Sequence, residues 1–286
     1  MTAPGSAARP RRQADDNSKE KTNVLTRESM RGLYVLVVTP FDDQHRLDGE
    51  AYRQNVRELV ALGVDGIITT GTNGEFFVTT DEELRQIARI TVEESRGKAV
   101  AVIGASAVNT DESIRRTRIA VEEGADAVMN VVPFYQKLSK AEAYQYFHDL
   151  AKQCPEIGII VYNNPTTTKV LLTDDDFVEL QKIASFCGSK MIGADLAMYI
   201  NCLRRTTLRH FPLETMWAVS HFIGGNGVMA SFIYAFPAFM IKWWEAIRTG
   251  HHTTALAMQD DCNRILKEAI LPLAAEGFNE TALTKA

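Results

Sequence analysis

From Gly32 onward, short apolar runs alternate with segments whose apolar residues recur every three or four positions. Runs rich in valine and isoleucine are typical of strands buried on both faces of a parallel sheet. The segments between them have the spacing of amphipathic helices. The pattern therefore predicts strands that alternate with helices. The predicted strands are 33–39, 66–70, 99–103, 127–132, 158–162, 190–194, 207–213 and 227–231.

Eight such units in one chain predict an α/β fold, a (β/α)8 or TIM barrel over residues 32–231, followed by C-terminal helices over 232–286. The alternative is an open doubly wound sheet. A dinucleotide-binding sheet of that kind carries a glycine-rich turn after its first strand, whereas Thr39-Pro40-Phe41-Asp42 contains no glycine. The barrel is the better interpretation. The predicted helices are 49–62, 81–95, 111–123, 140–153, 173–186, 215–223, 234–249 and 253–269.

Residues 1–31 carry few apolar side chains and many charges, alanines, prolines and serines. Such a segment cannot bury enough apolar surface to offset the entropy lost on ordering. We therefore expect residues 1–31 to form a disordered tail. Because no apolar stretch follows its charges, a secretory signal is not expected.

Composition and charge narrow the class of protein. The 286 residues include 31 basic and 36 acidic side chains, a net charge of −5, which argues against a nucleic-acid binder. Apolar runs stay well short of the roughly 20 residues that a membrane-spanning helix needs. The four cysteines stand far apart, as in a reduced protein without a zinc site. We expect a cytoplasmic protein that binds a small molecule, without a metal, nucleic acid or membrane.

The reactive side chains of a (β/α)8 barrel stand at the C-terminal ends of its strands. Polar residues follow most of the predicted strands, and these are the candidate site. The candidates are Thr72, Asn73 and Glu75 after strand two, Tyr135 after strand four, Tyr162, Asn164 and Thr167 at strand five, Asp195 after strand six and Glu214 after strand seven.

Several short motifs stand at these same strand ends. They are TPF at 39–41, GTNGE at 71–75, VPFYQK at 132–137, VYNNP at 161–165, IGA at 192–194 and GGNGVMAS at 224–231. Together, over about residues 32–285, they resemble the dihydrodipicolinate synthase / N-acetylneuraminate lyase family, close to its hydratase-aldolase branch.

This resemblance implies a (β/α)8 barrel with a C-terminal helical extension, and a homo-oligomer, either a tetramer or a dimer. It also implies no metal or organic cofactor, and aldol cleavage, condensation or dehydration of 2-keto acids. Members usually continue through further helices beyond the point that matches Lys285, so we expect a short extension here.

Two positions depart from the family pattern. The family lysine that forms a Schiff base with the keto carbon stands at the end of strand six, and the stretch Ile192-Gly193-Ala194-Asp195 places Asp195 there. A carboxylate cannot form an imine. The arginine that grips the substrate carboxylate is matched by Thr167. Asn73 and the main-chain amides of the GTNGE loop remain as groups that could hold an anion.

Three hydroxyls of the family's proton relay are kept. They correspond to Thr72, Tyr135 and Tyr162, and groups of this kind move protons during acid–base catalysis. The leading hypothesis is therefore a lyase without a Schiff-base lysine. It would be a cyclodehydratase for a small cationic aldehyde or ketone, such as a guanidino-aldehyde that closes to an aminoimidazole. Asp195 would act as the base, with Glu214 near the cation.

Two alternatives stay open. One is an aldolase or hydratase-aldolase for a 2-keto acid that uses a displaced lysine, either Lys137 or Lys169. The other is a barrel that binds a ligand without turnover. The first alternative predicts an adduct on the protein that borohydride traps. The second predicts that Asp195→Ala leaves cellular function intact while ligand binding persists.

Overall fold

The computed structural model describes residues 24–285, apart from the side chain of Glu280. Eight parallel strands follow one another round a barrel, and the chain passes through a helical segment between each strand and the next. The prediction of a (β/α)8 barrel is confirmed. The strands are β1 Gly32–Leu36, β2 Gly66–Thr69, β3 Val100–Gly104, β4 Ala127–Asn130, β5 Gly158–Asn163, β6 Phe186–Met191, β7 Arg209–Phe211 and β8 Gly227–Ala230.

The strand order is β7-β6-β5-β4-β3-β2-β1-β8, so the last strand pairs with the first. The register of β1 with β8 runs from Gly32 opposite Gly227 to Val35 opposite Ala230. A main-chain hydrogen bond of 3.3 Å from Met229 N to the carbonyl of Pro212 bridges β8 and the end of β7. The sheet is thus nearly closed.

The helices cover the outside of the barrel and extend it at the C-terminus. Several begin at a side-chain cap: α2 and α4 each start with a capping box, made by Thr80 with Glu83 and by Ser139 with Glu142. The helices are α1 Gly49–Ala61, α2 Asp81–Ser95, α3 Thr110–Glu122, α4 Lys140–Gln153, α5 Pro165–Thr168, α6 Asp174–Leu180, α7 Leu196–Arg205, α8 Trp217–Phe222, α9 Pro237–Arg248, α10 His252–Ile265, α11 Leu271–Ala275 and α12 Glu280–Lys285.

Two apolar layers hold these elements together. Between the sheet and the helices, Phe147 of α4 meets Phe186 of β6 edge to face at 5.4 Å. Inside the barrel, Tyr34 and Phe211 meet edge to face at the same distance. The barrel is therefore a packed core rather than a pore, and in this fold the ligand site lies beyond the C-terminal ends of the strands.

The residues just before β1 close the N-terminal end of the barrel. Leu25 and Met30 are buried in the interior cluster. The Arg27 guanidinium donates to the carbonyls of Phe186, at 2.7 Å, and Ile183, at 2.9 Å. The predicted disordered tail is therefore wrong for its last part, because these side chains bury apolar surface and satisfy main-chain carbonyls. Residues 1–23 lie outside the described part of the chain.

Met30→Ala is expected to lower the free energy of unfolding by about 2–5 kcal/mol, because it leaves a cavity under the barrel. Denaturant titration of the variant measures the loss. Val24→Ala is the matched control, since Val24 lies close by in the chain but is exposed. Equal stability of Met30→Ala and the wild type would show that this segment does not close the barrel.

A β-bulge interrupts the pairing of β5 with β6. Ile159 pairs with Phe186 and Ile160 pairs with Gly188, so Cys187 is an extra residue on β6. Beyond the bulge the register is regular and places Tyr162 opposite Lys190. The predicted sixth strand, 190–194, is therefore displaced, because β6 ends at Met191.

The C-terminal helices pack on the barrel around a tryptophan pair. The rings of Trp217 in α8 and Trp243 in α9 are both fully buried, with centroids 4.9 Å apart. The Trp243 indole donates to the carbonyl of Ala255 in α10 at 3.0 Å. No helix in the described range is both long and apolar enough to cross a membrane.

Candidate active site

A lysine and a tyrosine meet at the C-terminal ends of β5 and β6. Lys190 is the penultimate residue of β6 and is only 4% exposed. Its Nζ lies 3.5 Å from the Tyr162 hydroxyl and 4.5 Å from the centroid of the Tyr162 ring. The amine is thus held out of bulk water beside a group that can carry a proton.

The neighbouring residue on β6 shows which way Lys190 faces. Ser189 lies outside the barrel, where its hydroxyl is 2.7 Å from His210 Nδ1, and the His210 ring meets Phe177 of α6 at 4.9 Å. Burial lowers the pKa of His210 to about 3, so this ring is neutral. Because successive side chains of a strand point to opposite faces, Lys190 points into the barrel.

Thr72, in the loop after β2, extends the arrangement. Its Oγ1 lies 3.3 Å from the Tyr162 hydroxyl, and either oxygen can be the donor. Amine, phenol and threonine hydroxyl thus form one chain of polar groups, here called the Lys190 triad (Lys190, Tyr162 and Thr72). A chain of this kind can pass a proton between a bound molecule and the loop.

The loop that carries Thr72 has a strained backbone. Thr70 and Glu75 have φ angles of 45° and 53°, in the left-handed region that side chains disfavour. Gly74 packs so tightly that a Cβ would lie 2.6 Å from the Thr70 nitrogen. The buried Thr39 hydroxyl donates to the Gly74 carbonyl at 2.7 Å. Such strain persists only where the surroundings hold the loop in place, and it is concentrated at functional sites.

The position of Lys190 corrects the sequence interpretation. The family lysine was matched to Asp195 in the sequence. Instead β6 ends at Met191, and Lys190 is the last residue but one of the strand, next to its C-terminal end. Two features of the sequence point to Lys190. Gly188 and Lys190 are two positions apart, like the glycine and the Schiff-base lysine of the family motif. In addition, a lysine is rarely buried within an apolar run unless it has a partner.

Asp195 lies outside the site. It is exposed, and its carboxylate caps α7 by accepting a 2.8 Å hydrogen bond from the main-chain nitrogen of Met198. The expectation that Asp195 stands at the end of strand six is wrong, because β6 ends at Met191, four positions before Asp195. The first residue before a helix commonly holds an aspartate for this purpose.

Asp195→Ala is expected to lower the free energy of unfolding by about 0.5–2 kcal/mol, the usual value of a helix cap. Turnover should stay at the wild-type level, because the carboxylate is exposed and engaged at the start of α7. Asp195→Ser keeps a capping oxygen and is the control for stability. Loss of turnover in a folded Asp195→Ala protein would restore the carboxylate as the base.

The structure does not bring Tyr135 to the other two hydroxyls of the predicted relay. Its side chain is 80% exposed, in the loop after β4. Lys169 holds this loop, since its Nζ donates to the carbonyls of Phe134 and Tyr135 at 2.8 and 3.1 Å. Lys169 therefore has a structural partner, and Lys137 is exposed on the same loop. Neither lysine is near Tyr162 in the way Lys190 is.

The loop between β2 and α2, residues 70–80, carries Thr72 and is here called the triad loop. Three of the predicted binding residues lie in this loop or just after β5. Asn73 and Asn164 are buried. Asn164 Oδ1 accepts a 3.4 Å hydrogen bond from the main-chain nitrogen of Thr167, so it caps the short helix α5. Thr167 is half-buried in that helix. All three side chains are neutral and can form hydrogen bonds.

Glu214 is a buried carboxylate at the end of β7. Its Oε1 accepts hydrogen bonds from the main-chain nitrogens of Ser231 and Phe232, the latter at 2.9 Å, and from the Ser231 hydroxyl at 3.2 Å. These donors tie the loop after β7 to the end of β8. The predicted pairing of Glu214 with a substrate cation would therefore compete with bonds the carboxylate already makes.

The C-terminal helix α12 reaches the triad loop. The Thr281 hydroxyl donates to the carbonyl of Thr72 at 3.2 Å. Lys285 pairs with the Glu75 carboxylate, and its Nζ lies 4.9 Å from the centroid of the Phe41 ring. Glu75 is thus engaged by an ammonium of the chain itself. Sequence reasoning had placed Glu75 against the substrate and had assigned no role to Thr281 or Lys285.

Other reactive side chains are scarce. Within residues 24–285, no three His, Cys, Asp or Glu side chains are grouped in a way that could hold a metal ion. The four cysteines are buried and free. Burial raises the pKa values of the Cys187 and Cys202 thiols to about 12, which keeps them protonated and unreactive. The Lys190 triad is therefore the best-supported chemical site in the described chain.

Comparisons with known proteins point to one family. The model of the Dihydrodipicolinate synthetase family matches residues 29–281. A 4-hydroxy-tetrahydrodipicolinate synthase of Methanospirillum hungatei is 30% identical over 230 residues, 78% of each chain. An N-acetylneuraminate lyase of Citrobacter koseri is 28% identical over 248 residues, 84% of this chain and 81% of the relative.

A solved structure shows the same fold. PhdJ bound to a substrate intermediate superposes with a TM-score of 0.80 at 24% identity, over 85% of this chain and 79% of its own. The family match begins at the segment that closes the barrel and ends inside α12, so it includes every strand and the whole triad. This protein belongs to the dihydrodipicolinate synthetase family of lyases.

Proposed function

We propose that this protein is a lyase that forms an imine between Lys190 and a 2-keto acid. The observation that carries the proposal is the buried Lys190 Nζ, 3.5 Å from the Tyr162 hydroxyl. A lysine in a pocket that excludes water is a good nucleophile towards a carbonyl once it is deprotonated. The family resemblance implies the same reaction at the end of strand six.

The triad supplies the proton transfers that an imine requires. The neutral amine of Lys190 attacks the keto carbon, and the oxygen takes up a proton to give a carbinolamine. The Tyr162 hydroxyl then donates a proton to this oxygen, which leaves as water. The amine and the ketone are thus converted into an imine and one water molecule. Thr72 exchanges a proton with Tyr162, which returns the phenol to its starting state.

The protonated imine then withdraws electrons from the neighbouring carbon. A carbon–carbon or carbon–hydrogen bond next to it breaks, and its electron pair forms an enamine. Tyr162 then returns a proton to the enamine carbon, which restores the imine. Water hydrolyses this imine to the keto product and the free amine of Lys190. Aldol cleavage, condensation and hydration all pass through such intermediates. Which of these reactions occurs depends on the second substrate that the site accepts.

The anionic end of the substrate would lie against the loop at 71–75. Thr167 replaces the family's arginine, so a bidentate clamp on the carboxylate is lacking at that position. We propose that Asn73 and the main-chain amides of this loop bind the carboxylate instead. A weaker clamp is consistent with a substrate that owes more of its affinity to its remaining, less polar part.

The cyclodehydratase hypothesis loses its support. It depended on the loss of the lysine and on a carboxylate at the end of strand six. Lys190 now occupies that end, and Asp195 caps a helix on the surface. The alternative with a displaced lysine is likewise unnecessary. Both remain outcomes that the following experiment can reveal.

Incubation with pyruvate followed by borohydride reduction is expected to attach one reduced keto-acid adduct, and peptide mapping should locate it on Lys190. An adduct on Lys137 or Lys169 would favour the displaced-lysine mechanism. Turnover of a guanidino-aldehyde without any adduct would favour the cyclodehydratase. Ligand binding without adduct or turnover would indicate a binding barrel.

A further inference from the structure

A second cation is buried near the triad loop and takes no part in the chemistry proposed above. Arg116, on the inner face of α3, is only 7% exposed. All hydrogen-bond partners found for its guanidinium within the described residues are neutral oxygens. Its Nε is buried without a hydrogen-bond partner. Burial also lowers the pKa of this guanidinium.

The partners of Arg116 belong to two loops at the reactive end of the barrel. Its Nη1 donates to the carbonyls of Phe76, at 3.1 Å, and Ser106, at 3.2 Å. Its Nη2 donates to the carbonyl and hydroxyl of Thr79, at 2.9 and 3.1 Å. Phe76 and Thr79 lie in the loop between β2 and α2 that carries Thr72, and Ser106 lies in the loop between β3 and α3.

Burying a charge without a counter-charge is costly, and an apolar side chain would fill the same volume more cheaply. Arginine offers what no apolar residue does, a rigid planar fork with five N–H donors. Three main-chain carbonyls of curved loops need such donors when they are buried. A lysine has one nitrogen and cannot span all three. An arginine therefore suits this position, because its guanidinium can donate to all three carbonyls.

The loop held by Arg116 is the strained one. Thr70 and Glu75, the two residues with left-handed φ angles, lie on either side of Thr72 in the chain, and Phe76 directly follows Glu75. The Phe76 ring also meets Phe134 of the loop after β4, edge to face at 5.6 Å. Fixing the Phe76 and Thr79 carbonyls thus limits the positions that Thr72 can take relative to Tyr162.

We infer that Arg116 is a positioning residue that holds the triad loop so that the Thr72 hydroxyl reaches Tyr162. The expected effect on turnover rests on the proposed function, whereas the expected effect on the mobility of the loop does not. None of the hydrogen bonds of the Arg116 guanidinium described above is to Lys190 or Tyr162. Imine formation should therefore survive its replacement, whereas the proton transfers through Thr72 should slow.

The kinetic test is a double-mutant cycle with Arg116→Met and Thr72→Val. The assay follows deuterium exchange into the methyl group of pyruvate by NMR, which requires both the imine and proton transfer. Arg116→Met should slow exchange about 10- to 100-fold in the wild-type background, less than the loss of an acid–base group itself, because the Thr72 hydroxyl is displaced and not removed. In the Thr72→Val background it should cost about threefold or less, because the hydroxyl that it positions is absent. Equal losses in both backgrounds would overturn the inference.

A test without substrate separates this inference from the proposed function. Amide hydrogen exchange of peptides covering 70–80 should speed up in Arg116→Met and stay at the wild-type rate in Arg118→Met, whose side chain is exposed on the same helix. Arg116→Lys keeps the charge and part of the donors, and should give intermediate exchange and turnover. It also serves if Arg116→Met fails to fold. Unchanged protection of 70–80 in Arg116→Lys and Arg116→Met would refute the positioning role, whereas absence of a pyruvate adduct on the wild type would refute only the proposed function.

Discussion

Lys190→Met is expected to abolish the borohydride-trapped adduct and to lower kcat/KM for a keto-acid substrate by about 10⁴- to 10⁶-fold, the order seen when an enzyme loses its nucleophile. Methionine is unbranched like lysine, so it can fill the space beside the Tyr162 ring without the amine. Steady-state kinetics and trapping on the same preparation measure the two effects, and a thermal melt reports whether the barrel is intact.

Lys137→Met is the matched control for this experiment. It removes an ammonium from an exposed loop on the same face of the barrel. Its turnover and its adduct should equal those of the wild type. Substantial activity in Lys190→Met, or a trapped adduct that survives the substitution, would show that the imine forms elsewhere or that the reaction does not use one.

Tyr162→Phe is expected to lower kcat about 10²- to 10⁴-fold, the usual contribution of a positioned acid or base. The adduct on Lys190 should still form, more slowly, because phenylalanine keeps the ring against which the amine lies. The variant therefore separates the phenol from the packing that surrounds it. Single-turnover trapping measures imine formation, and deuterium exchange measures the later proton transfers.

Tyr52→Phe controls for the loss of a buried phenol. The Tyr52 hydroxyl is 2.7 Å from Thr91 Oγ1, between α1 and α2. Its removal should cost about 1 kcal/mol of stability and leave kcat unchanged. If Tyr162→Phe affected stability alone, as Tyr52→Phe is expected to do, the phenol would have no part in the reaction.

The repeating pattern of the sequence was enough to predict the barrel. Seven of the eight strands overlap the predicted segments over most of their length, because strands buried on both faces are rich in apolar residues, although β7 also contains Arg209 and His210. The exception is β6, whose residues include Ser189 and Lys190 within the buried run. Polar side chains interrupt the apolar pattern of β6, so the strand that carries Lys190 was the one misplaced.

The site was predictable only in part. Thr72 and Tyr162 were found because both stand directly at strand ends, where topology alone fixes their neighbours. Tyr135 and Asp195 were placed in the site because they follow strands, yet loop geometry turns Tyr135 outwards and puts Asp195 at a helix cap. The contacts of Arg116 join residues up to 40 positions apart. No local spacing encodes a contact that depends on how two loops curve.

The bulge in β6 has a consequence for the direction of the amine. In a regular strand, two residues separated by an even number of positions share a face. Phe186 and Lys190 are separated by four, yet the phenylalanine packs among the helices and the lysine lies inside the barrel. The extra residue, Cys187, changes the parity of the count, and its thiol donates to the carbonyl of Leu25 in the segment that closes the barrel floor. Cys187 thus has two effects: it connects the floor of the barrel to β6, and it makes Lys190 point into the barrel and not towards the outer helices.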